Sequence, residues 1–303
     1  MNEVKLRVPA TIANIVCGFD VLGFAVSAPY DEITLKLSEK PGIRIHHTDN
    51  FELPEDPALN VAGVSLQALL NETSSTIGFD VGIHKNIKPG SGLGSSAASA
   101  MGAVAAANMV LGNPFTKSQL LYFAMQGEKV AGGVAHLDNV APCLLGGVSI
   151  IQSLQPPDAV SIPVPELHVS IIHPQIEVKT SDSRKIIRKE VPLKSAITQW
   201  SNVASLVAGF CTGNYTLIGK SLHDVIFEPS RSILIPGFEE VKARCLAAGA
   251  LGGGIAGSGP SMFMFSREKD TAERVVREMT TVYQSLGVDY KTYVTTLKQT
   301  PLI

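Results

Sequence analysis

Three glycines at every second position, Gly90, Gly92 and Gly94, run directly into two serines, Ser95 and Ser96. Glycine enters backbone conformations closed to other residues, so successive N–H groups in such a loop can converge on one anion. The two hydroxyls could donate to a phosphate or coordinate Mg²⁺. Upstream, Phe79, Val81, Ile83 and Ile87 alternate with Asp80, Gly82, His84 and Asn86, a period of two that predicts a strand. Downstream, residues 97–111 are rich in Ala, Met and Val and free of proline, which predicts a helix. A helix starting there brings unpaired first-turn N–H groups and the positive end of its dipole to the same point. Strand, glycine loop and helix in that order make a phosphate cradle.

Two other cradles fit less well. The P-loop pattern requires Gly-Lys-Ser/Thr after four spacer residues, and no Lys follows Gly94. The dinucleotide fingerprint requires Gly-x-Gly-x-x-Gly and an acid about 20 residues on. The spacing here is Gly-x-Gly-x-Gly, and the region near Val110 carries no acid. A glycine-rich turn that merely lets a helix pack close to a sheet is the remaining, purely structural alternative.

A chain of 303 residues has room for two domains and an ample core. A hydrophobic content of 45% against 17% charged residues is that of a packed globular protein, not a disordered one. The net charge of −2 offers no electrostatic basis for binding nucleic acid or a membrane surface. Cys17, Cys143, Cys211 and Cys245 are scattered without metal-site spacing, and they predict reduced thiols in a cytoplasmic protein. The start of the chain has no apolar core of a secretory signal. The longest apolar stretch is shorter than the ~20 residues of a membrane span, so a soluble protein is expected.

Periodicity predicts further strands over 4–8, broken by Pro9, and over 31–37, 147–151, 167–172, 262–265 and 290–297. Helices are predicted over 60–70, from Thr116 to Val130 with Gly132-Gly133 as terminator, and over 181–188, 194–211, 216–223, 237–248 and 269–286. Gln155-Pro156-Pro157-Asp158 is the best linker, dividing the chain into residues 1–155 and 156–303. Strands and helices alternate in both halves without an uninterrupted βα run, which indicates α+β domains. A second glycine cluster runs from Gly252 to Pro260.

Three segments together resemble the three motifs of the GHMP small-molecule kinases (galacto-, homoserine, mevalonate and phosphomevalonate kinases), and most closely the homoserine-phosphorylating members. They are Pro9-Ala10-Thr11-Ile12-Ala13-Asn14-Ile15-Val16-Cys17-Gly18-Phe19-Asp20, the cradle itself, and Gly249 to Gly252 with Gly257-Ser258-Gly259-Pro260-Ser261. Glu228-Pro229-Ser230-Arg231 is similar to the approach to the third. Ile12 stands where the family has Ser, and Val16-Cys17 where it has Gly-Pro. The resemblance spans nearly the whole chain. It implies an N-terminal ATP-binding domain like ribosomal protein S5 (1–155) and a ferredoxin-like substrate-side domain (156–303). It also implies a cytoplasmic homodimer and ATP-dependent phosphorylation of an amino-acid hydroxyl, that of L-homoserine, on the route to threonine, with Mg²⁺.

Carried over residue by residue, the resemblance implies that Asp20, with Asp138, meets the substrate ammonium, and that Arg184 and Arg231 form a fork for its carboxylate. Asn14, His136, Asn139, Thr180 and Gly257 would complete that pocket. Asn139 occupies the place where mevalonate-type relatives carry an Asp resembling a base. An amide takes no proton at neutral pH, so direct in-line attack on the γ-phosphorus is implied, with Asn139, Asp20 and Arg231 at the reaction centre. Pro89, Gly90, Ser91, Gly92, Leu93, Gly94, Ser95 and Ser96 would wrap the phosphates, Asn60 and Lys85 the adenine or ribose side, and Ser96 with Glu128 the Mg²⁺. Lys85 falls on the apolar register of its strand, where a charge is unexpected. Blander readings stand beside these: Asp20 as a turn residue, Arg184 on a solvated helix face, Asp138 or Asn139 as a helix cap, Glu128 as a surface acid. The remaining alternatives are a mevalonate-, sugar- or shikimate-type kinase, a non-catalytic nucleotide-binding relative, and a dehydrogenase.

Overall fold

The computed structural model describes residues 2–73, 77–133, 136–178, 183 and 185–303. Its first layer is a six-stranded sheet of order β3-β4-β2-β5-β6, with β1 paired to β2 off that path. These strands are β1 (Glu3–Ala13), β2 (Leu22–Ser38), β3 (Gly42–His47), β4 (Gly78–His84), β5 (Val148–Leu154) and β6 (Pro157–Ile162). β2 is much longer than its predicted core over 31–37, because it serves two partners. Residues 32–38 pair with β4, and residues 22–24 pair with β5.

Pro9 does not end β1 as expected. Among the described residues only β2 pairs with this strand, and the register shifts between Pro9 and Thr11, so a residue without an N–H is tolerated there. The strand predicted to reach residue 87 stops at His84, which places Lys85 and Ile87 in the loop beyond it. The proposed linker is not one. Leu154 pairs with Pro157, so Gln155 and Pro156 form the turn of a β5–β6 hairpin, and the first sheet continues past residue 155 to Ile162.

Helices α1 (Val61–Asn71), α2 (Ser95–Val110), α3 (Lys117–Gly132) and α4 (Val140–Leu145) cover one face of this sheet. Thr116 caps α3 with a capping box to Gln119, as the Thr-x-x-Gln spacing dictates. α2 is apolar all round and buried on nearly every side, the pattern of a helix enclosed by other elements. Its small residues permit close approach: a Cβ on Gly102 would lie 2.6 Å from Val8 Cγ2.

The second layer is a four-stranded antiparallel sheet of β7 (His168–Pro174), β8 (Gly252–Ile255), β9 (Met262–Ser266) and β10 (Tyr290–Thr296), in the order β10-β7-β9-β8. A chain that fills a sheet in the order fourth, first, third, second has the ferredoxin-like arrangement. The helices are α5 (Leu193–Thr212), α6 (Tyr215–Ser221), the single-turn α7 (Glu228–Arg231), α8 (Phe238–Ala247) and α9 (Lys269–Ser285). Alternation on β9 sorts its side chains. Met262 and Met264 join Val275, Met279 and Val282 of α9, whereas Phe263 and Phe265 enter the main core. There they meet Phe24 of β2 at ring distances of 5.4 and 5.1 Å, so the two layers share one core. Of the helix expected over 181–188, residues 181, 182 and 184 lie outside the described residues; residues 183 and 185 are helical, but 186–188 form turn and irregular chain, so the helix does not extend to 188.

Candidate active site

The glycine loop has the backbone its composition demands. Gly90, Gly92 and Gly94 take φ values of +75°, +80° and +67°, alternating with Ser91 and Leu93. Gly94 occupies the N-cap of α2 and lines the cleft with Ser95 and Ser96; among the described residues no side chain caps that helix, which leaves its first-turn N–H groups without a side-chain partner. Leu93 turns inward and is buried; its role is to hold the loop, its carbonyl accepting from Thr11 N–H at 3.1 Å. Ser95 Oγ donates to the Ile87 carbonyl at 2.8 Å, leaving its backbone rather than its hydroxyl for a ligand.

Ser96 Oγ donates to Glu128 Oε2 at 3.2 Å. Glu128 is buried, and its Oε1 has no hydrogen-bond partner among the described residues. Burial pushes its carboxyl up to about 7, opposed by the Ser96 hydrogen bond and the charge of Lys85. The surface reading of Glu128 is thereby removed.

Lys85 is placed differently from the nucleotide contact expected of it. Its ammonium forms a close ion pair with buried Asp31 and donates to the Ser95 carbonyl at 2.7 Å and Ser99 Oγ at 2.9 Å. Asp31 also accepts from the N–H groups of Asn86 and Ile87, at 2.7 and 2.9 Å. Burial lowers the Lys85 pKa and Asp31 opposes that shift. The three ammonium donors are spent tying the strand end to the start of α2. Asn60 is likewise committed to the fold. It caps α1 through Ala62 N–H and donates to the Pro54 carbonyl at 2.6 Å, although it also lines the cleft.

Between β1 and β2 the chain makes a left-handed turn, with φ of +76° at Asn14, +39° at Ile15 and +62° at Val16. Such values are costly for β-branched residues, roughly 1–2 kcal/mol each. The turn is held by burial of Ile15, Val16 and Cys17 and by bonds from Asn14 N to Leu22 O (2.7 Å), Gly18 N to Asn14 O (2.8 Å) and Gln199 Nε2 to Cys17 O (2.8 Å). The departures at Val16-Cys17 are thus packed into the core, as is Ile12. Asn14 Nδ2 donates to the Gly257 carbonyl at 3.0 Å, while its Oδ1 accepts from Asp20 N–H at 3.1 Å. Asp20 is set 3.7 Å from His136 Nδ1.

Arg231 is buried and enters from the opposite wall. Nε donates to Ser183 Oγ at 2.8 Å, Nη2 donates to the Gly257 carbonyl at 2.6 Å, and the guanidinium lies 5.6 Å above the Phe19 ring. Phe19 in turn stacks on Phe227 at 4.0 Å. Asp224 shapes this approach by accepting from the N–H groups of Ile226, Phe227 and Glu228. Asn139 sits at the N-cap of α4 without making a capping bond; instead its Oδ1 accepts from Thr11 Oγ1 at 2.9 Å.

One cleft of about 400 Å³ brings many of these groups together. It gathers Asn14, Asp20, His136, Asp138, Asn139, Arg231 and Gly257 together with Asn60, Lys85, Pro89, Gly90, Ser91, Gly92, Gly94, Ser95, Ser96 and Glu128, and Asn139 and Gly257 lie against Gly94 and Gly92. Thr180 and Arg184 lie outside the described residues. Sequence reasoning missed Phe19, Ser183 and an apolar wall of Leu53, Leu59, Val61 and Val130. Phe19 and Thr11 lay inside a motif already singled out, but nothing in their types announced a role. The cleft combines a helix tip without a side-chain cap, where anions are electrostatically favoured, with a pocket holding both a carboxylate and a guanidinium, features that suit a phosphate donor and a zwitterion.

Residues 60–147 match the family described as GHMP kinases N terminal domain, and residues 206–285 match GHMP kinases C terminal. The chain belongs to the GHMP kinases. Among its relatives, a homoserine kinase of Chlorobium phaeobacteroides is 46% identical over 292 residues, covering 92% of this chain and 91% of that one. The crystal structure of homoserine kinase from Cytophaga hutchinsonii superposes with a TM-score of 0.95 at 45% identity, covering 99% of this chain and 96% of the other. Mevalonate kinase of L. major, crystallised with R-mevalonate, gives a TM-score of 0.73 over 98% of this chain and 96% of its own. At 15% identity that likeness extends to the fold alone.

Proposed function

We infer that the protein transfers the γ-phosphoryl group of ATP to the hydroxyl of L-homoserine, forming O-phospho-L-homoserine and ADP. The observation that carries this reading is one cleft in which the uncapped N-terminus of α2 faces a pocket walled by Asp20 and Arg231. The near full-length similarity to homoserine kinases supports the same acceptor. The product is a precursor on the route to threonine. A cytoplasmic homodimer belongs to the same proposal; among the described residues no helix is long and apolar enough to cross a membrane.

In this reading the loop amides and the first turn of α2 bind the triphosphate, holding negative charge against fixed N–H dipoles. Arg231, already held by Ser183 and Gly257, grips the substrate carboxylate, and Asp20 meets its ammonium. Ser96 and Glu128 suit Mg²⁺: a hydroxyl and a buried carboxylate oxygen without a hydrogen-bond partner among the described residues are the oxygen donors a hard cation takes. Bound there, Mg²⁺ would neutralise charge on the transferring phosphate. Asn139 cannot accept a proton, so the substrate hydroxyl attacks in line and its proton passes to a phosphoryl oxygen. Positioning and charge stabilisation by these residues supply the rate.

The test is ADP release from MgATP with L-homoserine, mevalonate, galactose or shikimate, with the product identified by phosphorus NMR. Turnover is expected with homoserine alone. Turnover confined to another alcohol, or none with any, would overturn the reading.

A further inference from the structure

Asn139 lines the cleft beside Gly94, and its amide has two chemically opposite ends. Which end faces a ligand decides whether Asn139 attracts or repels an anion. α4 does not set the choice, because the Asn139 side chain makes no capping bond. Thr11 does. Its hydroxyl lies 2.9 Å from Asn139 Oδ1 and is completely buried. Oδ1 can only accept, so the Thr11 O–H donates.

Thr11 is itself immobile. It pairs with Ala25 in the β1–β2 ladder, and its N–H is bound to the Leu93 carbonyl at 3.1 Å. The fit also explains Gly94, where a Cβ would fall 2.0 Å from Thr11 Oγ1 and 3.0 Å from Asn139 Oδ1. Only a residue without a side chain lets the hydroxyl reach the amide directly beneath the phosphate loop. Strand, loop and helix start therefore converge on one hydrogen bond.

We propose that Thr11 is a positioning residue for phosphoryl transfer: it holds the Asn139 carbonyl against β1 and so presents the Nδ2–H₂ group to the cleft. The proposal rests on the role given to Asn139 above. Two N–H donors beside the helix tip complement charge gathering on the transferred phosphoryl oxygens, whereas a flipped amide would turn carbonyl lone pairs toward them.

The experiment is steady-state kinetics of Thr11→Val, Thr11→Ser, Asn139→Ala and the double variant Thr11→Val/Asn139→Ala. Thr11→Val, nearly isosteric, is expected to lower kcat on the order of tenfold or more while both KM values stay within about threefold. Thr11→Ser should restore most of kcat, a rescue that a packing role for the Thr methyl would not produce. In the Asn139→Ala background, Thr11→Val should cost nothing further. An impaired Asn139→Ala beside a normal Thr11→Val, or losses that multiply in the double variant, would sink the Thr11 proposal alone. Full kcat in Asn139→Ala would remove the role of Asn139 as well. Should Thr11→Val fail to fold, Thr11→Cys keeps the bulk with a weaker donor, and a kcat equal to that of the parent enzyme would overturn the idea.

Discussion

Glu128 and Ser96 meet across the helix pair α2 and α3: one carboxylate oxygen takes the Ser96 hydroxyl at 3.2 Å, and the other is buried without a hydrogen-bond partner among the described residues. A buried lone oxygen costs stability unless something pairs with it. Glu128→Gln is expected to lower kcat on the order of a hundredfold and to raise the Mg²⁺ concentration for half-maximal rate. Its melting temperature should equal or exceed that of the parent, since a buried carboxyl has been neutralised. An unchanged Mg²⁺ titration would remove Glu128 from the metal site.

Arg231 offers a planar fork already aimed by Ser183 and Gly257. Arg231→Ala should raise the KM for homoserine at least about tenfold, the scale of lost charge-assisted hydrogen bonds, with the KM for ATP changed less than about threefold. Arg231→Lys should recover little, because an ammonium cannot make both fixed contacts and grip a carboxylate. Ser96→Ala should show the reverse pattern, shifting ATP and Mg²⁺ dependence. Initial-rate surfaces over both substrates separate the two.

Lys85 and Asp31 form a buried pair whose loss strands the partner. Lys85→Met leaves the Asp31 carboxylate buried without its cation and should destabilise the fold by about 3–5 kcal/mol, read by urea unfolding. Were Lys85 chiefly a nucleotide contact, stability would stay near the parent value while the KM for ATP rose.

His173 on β7 is buried opposite Lys291 of β10. Burial, with Lys88 and Lys291 acting in the same direction, lowers its pKa from 6.5 to about 4. The unfolded chain takes up this proton below about 6.5, whereas the folded one resists until about 4. Stability is therefore full above that window and falls as pH drops through it, by at most about 3 kcal/mol from this group. His173→Gln should flatten the pH dependence of unfolding between pH 6.5 and 4; an unaltered slope would show that His173 titrates normally.

Local physics was readable along the chain. Alternation marked β4 though not its end at His84, the Ala-rich run marked α2, and Thr116 with Gln119 marked the start of α3 within a residue. Errors fell where pairing overrides propensity. Pro9 continues a strand because it needs no second partner, and Gln155-Pro156 turns a hairpin because Pro157 pairs back onto Leu154. The glycine loop of the cleft was legible because glycine spacing and helix starts are short-range properties, whereas the residues around it were expected only through the resemblance to the family. The oddity of Lys85 was visible too, but not its meaning.

By its own order of residues, the chain determined a glycine loop feeding a helix whose N-cap is a glycine, and with it a set of backbone N–H groups left without a side-chain cap. What it could not determine were partners far apart along the chain. Lys85 answers to Asp31 across 54 positions, Asn14 to Gly257 across 243, and Asn139 to Thr11 across 128. Residue type supplies a donor or an acceptor, but only the packing of the two sheets and their helices decides which groups are spent on each other and which remain turned toward the cleft.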